Sequence, residues 1–215
     1  MGRRVVRAER TAFAQTLSTT DPDAPTLCEG WSAADLVAHV VTRERRLDAD
    51  LSLLIRTDAL RRWTDRVRDR ERDRRSYPEL VRKLARPSWP LRVLPFVDDL
   101  VNDVELAVHH EDVRRGGSSW EPRTIDPELE ARLWRKLVRF APLAFRGDRS
   151  LRIELASPDG LHVTIHAGAD GPTVRLSGPT IELLLYAYGR RGVARVEVAG
   201  DDEAIARLRA LELRA

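Results

Sequence analysis

Glu105 and His109 stand four residues apart in the segment Val104-Glu105-Leu106-Ala107-Val108-His109-His110-Glu111-Asp112. On a helix this spacing puts a carboxylate and an imidazole one turn apart on a single face. Val101 and Val108 share that face, so it points partly inward. A carboxylate there needs a partner, because burying an unpaired charge is strongly unfavourable. A divalent cation is one such partner and an arginine is another. His39, at the edge of the Leu36/Val40 stripe of an earlier helix, is the natural third donor, since helices of one bundle can aim side chains at a common point. Two histidines and one carboxylate with an open position suit catalytic zinc, and equally the facial triad of ferrous iron. A water or substrate atom would complete the shell.

The neighbouring residues divide by direction. His110 points about 100° away from His109 on the helical wheel, which places it on the surface or behind the donors. Asp112 follows His109 by three residues and shares its face; it either supports the imidazole from behind or is solvated. Cys28, just before Gly30-Trp31 at the mouth of the His39 helix, becomes a nucleophile if a histidine activates it, and a packing role is the expectation. His162 and His166 fall among strands, away from any ligand spacing, and read as structural. Arg190 and Arg191 follow an apolar helix. They are candidates for holding an anionic cofactor or substrate, with plain solvation as the alternative. No phosphate-cradling glycine loop is present, so nucleotide and dinucleotide cofactors are unsupported.

The elements that must position these groups are legible in the pattern. Residues 3–18 carry Val6, Phe13 and Leu17 at helical spacing, and 19–25 are rich in turn formers. Ser32-Ala33-Ala34-Asp35 is a capping box opening a helix to about Leu54, with Leu36, Val40, Leu47 and Leu51 inward. Residues 56–75 hold nine arginines against five acids, interleaved as in a solvated, self-paired face. A short helix follows Tyr77-Pro78, and Pro87, Pro90 and Pro95 interrupt what comes next. Further helices are expected from Asp98 to Arg115, ended by Gly116-Gly117, and from Asp126-Pro127 to Arg146, with Leu129, Leu133, Leu137 and Phe140 inward. The period then changes. Residues 152–155, 162–165, 173–176 and 195–198 alternate as strands, 179–188 is an apolar helix, and 201–213 closes as an amphipathic one. The expected architecture is α+β: a helical bundle over 1–146 and a small α+β module over 148–215.

Composition bounds the function. Hydrophobic residues are 42% of the 215, enough for a core, while aromatics are only 6%, so the core is aliphatic. A third of the chain is charged but the net is only +3, which argues against nucleic acid as a partner. One cysteine excludes an internal disulfide framework and a cysteine-rich zinc module. No run approaches a membrane span and the first thirty residues lack a secretory pattern. A soluble, cytoplasmic protein is the expectation.

Two motifs in this order resemble a known family. Leu27-Cys28-Glu29-Gly30-Trp31-Ser32-Ala33-Ala34-Asp35-Leu36-Val37-Ala38-His39 is similar to the N-terminal signature of the mycothiol-dependent maleylpyruvate isomerase family. Glu105 to Asp112 resembles that family's second metal-binding helix, and residues 176–201 resemble its sterol-carrier-like C-terminal domain. The resemblance implies a DinB-like four-helix bundle with His39, Glu105 and His109 as metal ligands, zinc foremost, and mycothiol as thiol cofactor. It implies an isomerase or a thiol S-transferase, in which a metal-activated thiolate attacks a small electrophile. A DinB-like metal-dependent hydrolase and a non-catalytic binder of metal or apolar ligand are the alternatives.

Overall fold

The computed structural model describes residues 2–45, 75–86, 95–168 and 170–213, with the side chains at 2–3, 45 and 95–102 outside the description. Expectations for the Arg-rich segment 56–75, all but its last residue, for Leu47 and Leu51, and for Pro87 and Pro90 lie outside the described residues. The chain forms two compact units, Met1–Arg123 and Thr124–Ala215.

The first unit is helical. Its described helices are α1 (Gly2–Thr19), α2 (Ala33–Arg45), α3 (Tyr77–Leu84) and α4 (Pro95–Arg114). Helix α1 packs on α3 and α4, and α2 packs on the same two, so the four close a ring around one core. Val6, Phe13 and Leu17 of α1 are buried there, with Leu36, Val37 and Val40 of α2, Leu80 and Leu84 of α3, and Leu106 and Val113 of α4. Helix α4 begins at Pro95, three residues before the expected start at Asp98. A proline fits a first helical turn, where its missing N–H has no intrahelical partner.

The second unit is α+β, as the alternation predicts. Helix α5 (Pro127–Ala144) starts at Asp126, whose carboxylate accepts a hydrogen bond from Glu128 N at 2.9 Å. Strands β1 (Arg152–Ala156), β2 (His162–Ile165), β3 (Thr173–Ser177) and β4 (Glu197–Gly200) form one sheet in the order β2-β1-β3-β4. β1 pairs antiparallel with β2 and parallel with β3, and β3 pairs antiparallel with β4. Ile153 lies opposite Ile165 and Val174, and Leu155 opposite Leu176, which gathers the apolar positions on one face. Helices α6 (Thr180–Ala187) and α7 (Asp202–Ala210) complete the unit.

Two further expectations differ from the structure. The boundary expected near 147 falls inside the second unit, because α5 packs on α6. Its Leu133 and Leu137 are buried, and the Phe140 ring meets Tyr188 at 4.5 Å. The last strand starts at Glu197 rather than Arg195, since the Arg195 N–H donates to the buried Glu182 carboxylate at 2.8 Å instead of to a strand. No described helix is long and apolar enough to cross a membrane.

Candidate functional site

The capping box forms as its residue types dictate. Ser32 N donates to Asp35 Oδ2 at 3.0 Å, and Asp35 N donates to Ser32 Oγ at 3.3 Å. These bonds satisfy two backbone donors and set where α2 begins, and hence which way His39 points. Trp31, just ahead of the cap, lays its ring 5.0 Å from the His39 ring.

Across the core, α4 supplies the other donors. Donor atoms of His39, Glu105 and His109 all lie within 4.8 Å of one another. The His39 and His109 rings meet edge to face at 5.5 Å. His109 Nε2 is 3.1 Å from Glu105 Oε2, and its Nδ1 is 2.9 Å from Asp112 Oδ2. The imidazole thus stands between two carboxylates on its own helix, one turn to either side. The structure brings His39 together with the Glu105–His109 pair that the helical spacing singled out, and it places Asp112, fully buried, behind His109 rather than in solvent.

Opposing effects set the charges here. Burial would drive His109 to its neutral form, but the hydrogen bonds to Asp112, Cys28 and Glu105 and the Glu105 charge outweigh it and hold its pKa well above the ordinary histidine value. Burial would likewise raise Glu105. The Arg43 guanidinium, 3.5 Å away, together with His109 and His39, reverses this and holds the carboxyl far below its usual range. Arg43 was not singled out in the sequence, although it follows His39 by four residues on α2. That interval was the signal for it, and arginine is the residue type that an inward carboxylate calls for.

The donor set suits a divalent cation. Two imidazoles and one carboxylate converge, and Asp112 can hold the proton of His109 on Nδ1, which turns the Nε2 lone pair toward the cluster. His39, Glu105 and His109 are the residues that could hold such an ion.

The remaining candidates are placed as follows. Cys28 sits in the turn before α2 and donates from Sγ to Asp112 Oδ2 at 3.3 Å. His110, allowed for on the surface, is 2% exposed. Its ring stacks on Phe13 at 5.2 Å and hydrogen-bonds Glu9 and Thr16 of α1, each at 2.8 Å. It therefore ties α4 to α1. In the second unit, Arg190 donates to Tyr188 O at 2.6 Å. Arg191 donates to Arg209 O and Leu211 O, both at 2.9 Å, which caps the end of α7. His166 bonds Leu151 O at 3.1 Å and holds a φ of 56°, and His162 is exposed on β2.

Comparison with known proteins places this arrangement. The family model of the mycothiol maleylpyruvate isomerase N-terminal domain matches residues 4–138, and that of the MDMPI C-terminal domain matches 130–207. The fold is similar to the crystal structure of the mycothiol-dependent maleylpyruvate isomerase, with a TM-score of 0.55 at 17% identity over 91% of this chain and 90% of that one. A histidine-to-alanine mutant of that enzyme gives a TM-score of 0.56 at 16% identity, with the same coverage. No curated protein sequence matches the chain. With the N-terminal model spanning well over half of its length, this chain belongs to the mycothiol maleylpyruvate isomerase family.

Proposed function

We propose that the protein is a mycothiol-dependent isomerase that acts on a small electrophilic, unsaturated acid, with a divalent cation, zinc by its donor set, held by His39, Glu105 and His109. The observation that carries this reading is the convergence of those three donors within 4.8 Å of one another on the fold of this family. A cation bound there supplies the charge that lowers the pKa of a thiol beside it. Mycothiol, when bound, would supply the sulfur nucleophile that cis–trans isomerisation of an activated double bond requires. His39 and His109 would bind as neutral imidazoles, so cation binding displaces the proton that His109 otherwise holds between its carboxylates. Glu105 contributes the single negative charge of the set. Asp112 fixes the orientation and tautomer of His109, and the Trp31 ring lies against the His39 ring.

Elemental analysis of purified wild-type and His39→Ala protein tests the cation, with one ion per chain expected in the first and none in the second. A maleylpyruvate isomerisation assay with and without mycothiol tests the activity. Turnover that needs both zinc and mycothiol supports the reading, and equal turnover without the thiol overturns it. Sulfur retained on the product would assign an S-transferase instead.

A further inference from the structure

A second set of donors overlaps the first. Cys28 Sγ, a ring nitrogen of His109 and a carboxylate oxygen of Asp112 also lie within 4.8 Å of one another. Local structure holds Cys28 in this position. Leu27 N donates to Asp112 O at 3.0 Å, which pins the turn to α4. The Thr26 hydroxyl accepts from Cys28 N at 3.2 Å and donates to Trp31 O at 2.9 Å. Gly116 lets the two backbones approach, since a Cβ there would come within 2.1 Å of Pro25 O. The two sets differ in chemistry: the first is nitrogen and oxygen only, whereas the second contains the chain's single sulfur thiol.

They also use opposite nitrogens of one ring. Glu105 faces Nε2 at 3.1 Å and Asp112 faces Nδ1 at 2.9 Å. A neutral imidazole has one protonated nitrogen and one lone pair. With the proton on Nδ1, held by Asp112, the lone pair serves His39 and Glu105. With the proton on Nε2, held by Glu105, the lone pair on Nδ1 serves Cys28 and Asp112. Each carboxylate is thus a ligand in one state and a hydrogen-bond acceptor in the other.

We propose that Cys28, His109 through Nδ1 and Asp112 form a second cation site, selective for a thiophilic divalent ion, which competes with the His39–Glu105–His109 set for one imidazole. Thiolate favours soft ions over hard ones, so cadmium is the discriminating probe and magnesium should not bind. Occupation releases two protons to solvent, that of the Cys28 thiol and that on Nδ1 of His109, and the proton remaining on the ring resides on Nε2. Because His109 cannot offer both nitrogens as a neutral ring, filling the sulfur site empties the other. The site makes the protein sensitive to soft-metal excess through a residue its proposed function already needs.

The test is cadmium titration of the metal-free, full-length protein, followed by its ultraviolet sulfur-to-cadmium charge-transfer absorption. Wild type should develop the band to one ion per chain. Cys28→Ser should lose it yet still bind zinc, and Glu105→Gln should retain it. In zinc-loaded wild type, each band-forming cadmium should release one zinc. Absence of the band in wild type overturns the site, as does a band of unchanged affinity in folded Asp112→Asn, which would reduce it to a lone thiol. A full band with all zinc retained overturns the competition. If Cys28→Ser binds no zinc while wild type shows the band, the first site fails and the sulfur site stands.

Discussion

The imidazole of His109 rests its Nδ1 2.9 Å from Oδ2 of Asp112, a carboxylate with no solvent exposure. A buried acid behind a candidate ligand fixes the ring's tautomer and orientation and raises its basicity. Asp112→Asn keeps the shape but removes the charge. The expected outcome is a loss of zinc affinity of roughly 10- to 100-fold, measured by competition with a chromophoric chelator. Unchanged affinity in a folded variant would remove Asp112 from the site.

His39 and His110 should separate cleanly under substitution. His39→Ala should abolish zinc binding while shifting the unfolding midpoint little. His110→Ala removes the ring stacked on Phe13, takes the ring partner from the Thr16 hydroxyl and leaves Glu9 held by Arg123 alone. It should retain zinc yet cost about 1–3 kcal/mol of stability. Metal content and urea unfolding, run on both, give the comparison.

Arg123 bridges two buried acids, donating to Glu9 and, at 2.6 Å from Nε, to Glu111. Burial would raise both carboxyls, but His110 and Arg123 at Glu9, and Arg123 and Arg115 at Glu111, hold them below the ordinary value. A carboxyl whose folded pKa is depressed contributes stability that is fully present above its unfolded pKa, near 4.3. That contribution is lost as pH falls from there through the folded values. Arg123→Ala should cost about 3–5 kcal/mol at neutral pH, the scale of breaking a buried ion pair. It should also flatten the acid limb of a melting-temperature profile. A variant with the wild-type acid limb would show that the network does not set it.

Ser32→Ala deletes the hydroxyl that accepts from Asp35 N and leaves the Asp35 carboxylate with one bond fewer. The expected loss is about 1 kcal/mol, read from the thermal midpoint. Zinc affinity should fall with it, because the cap sets the start of the helix that carries His39.

Gly116→Ala places a methyl 2.1 Å from Pro25 O, backbone against side chain, where neither can yield cheaply. The turn that carries Cys28 must move off α4. Thiol labelling of Cys28 should accelerate, and slower labelling would contradict the packing described.

Much of this protein was legible without its tertiary structure, for reasons local to the chain. The Ser32–Asp35 capping box and the Asp126-Pro127 helix start are bonds between residues two or three positions apart. The pairing of Glu105 with His109 is one helical turn. The strands at 152–156, 162–165 and 173–177 follow from alternation, which short-range sterics impose on any half-buried strand. What only the folded chain decided are meetings between distant residues. Arg43 reaches Glu105 across 62 positions, Cys28 reaches Asp112 across 84, and His110 turns to Glu9 across 101. No periodicity encodes these, because each depends on how two helices cross and how closely a turn approaches a helix end. The same holds for helix α5: its apolar stripe showed that one face is buried, but packing alone determined that α6 covers it. Periodicity reports that a surface must be hidden, while the identity of the partner depends on shape complementarity between whole elements.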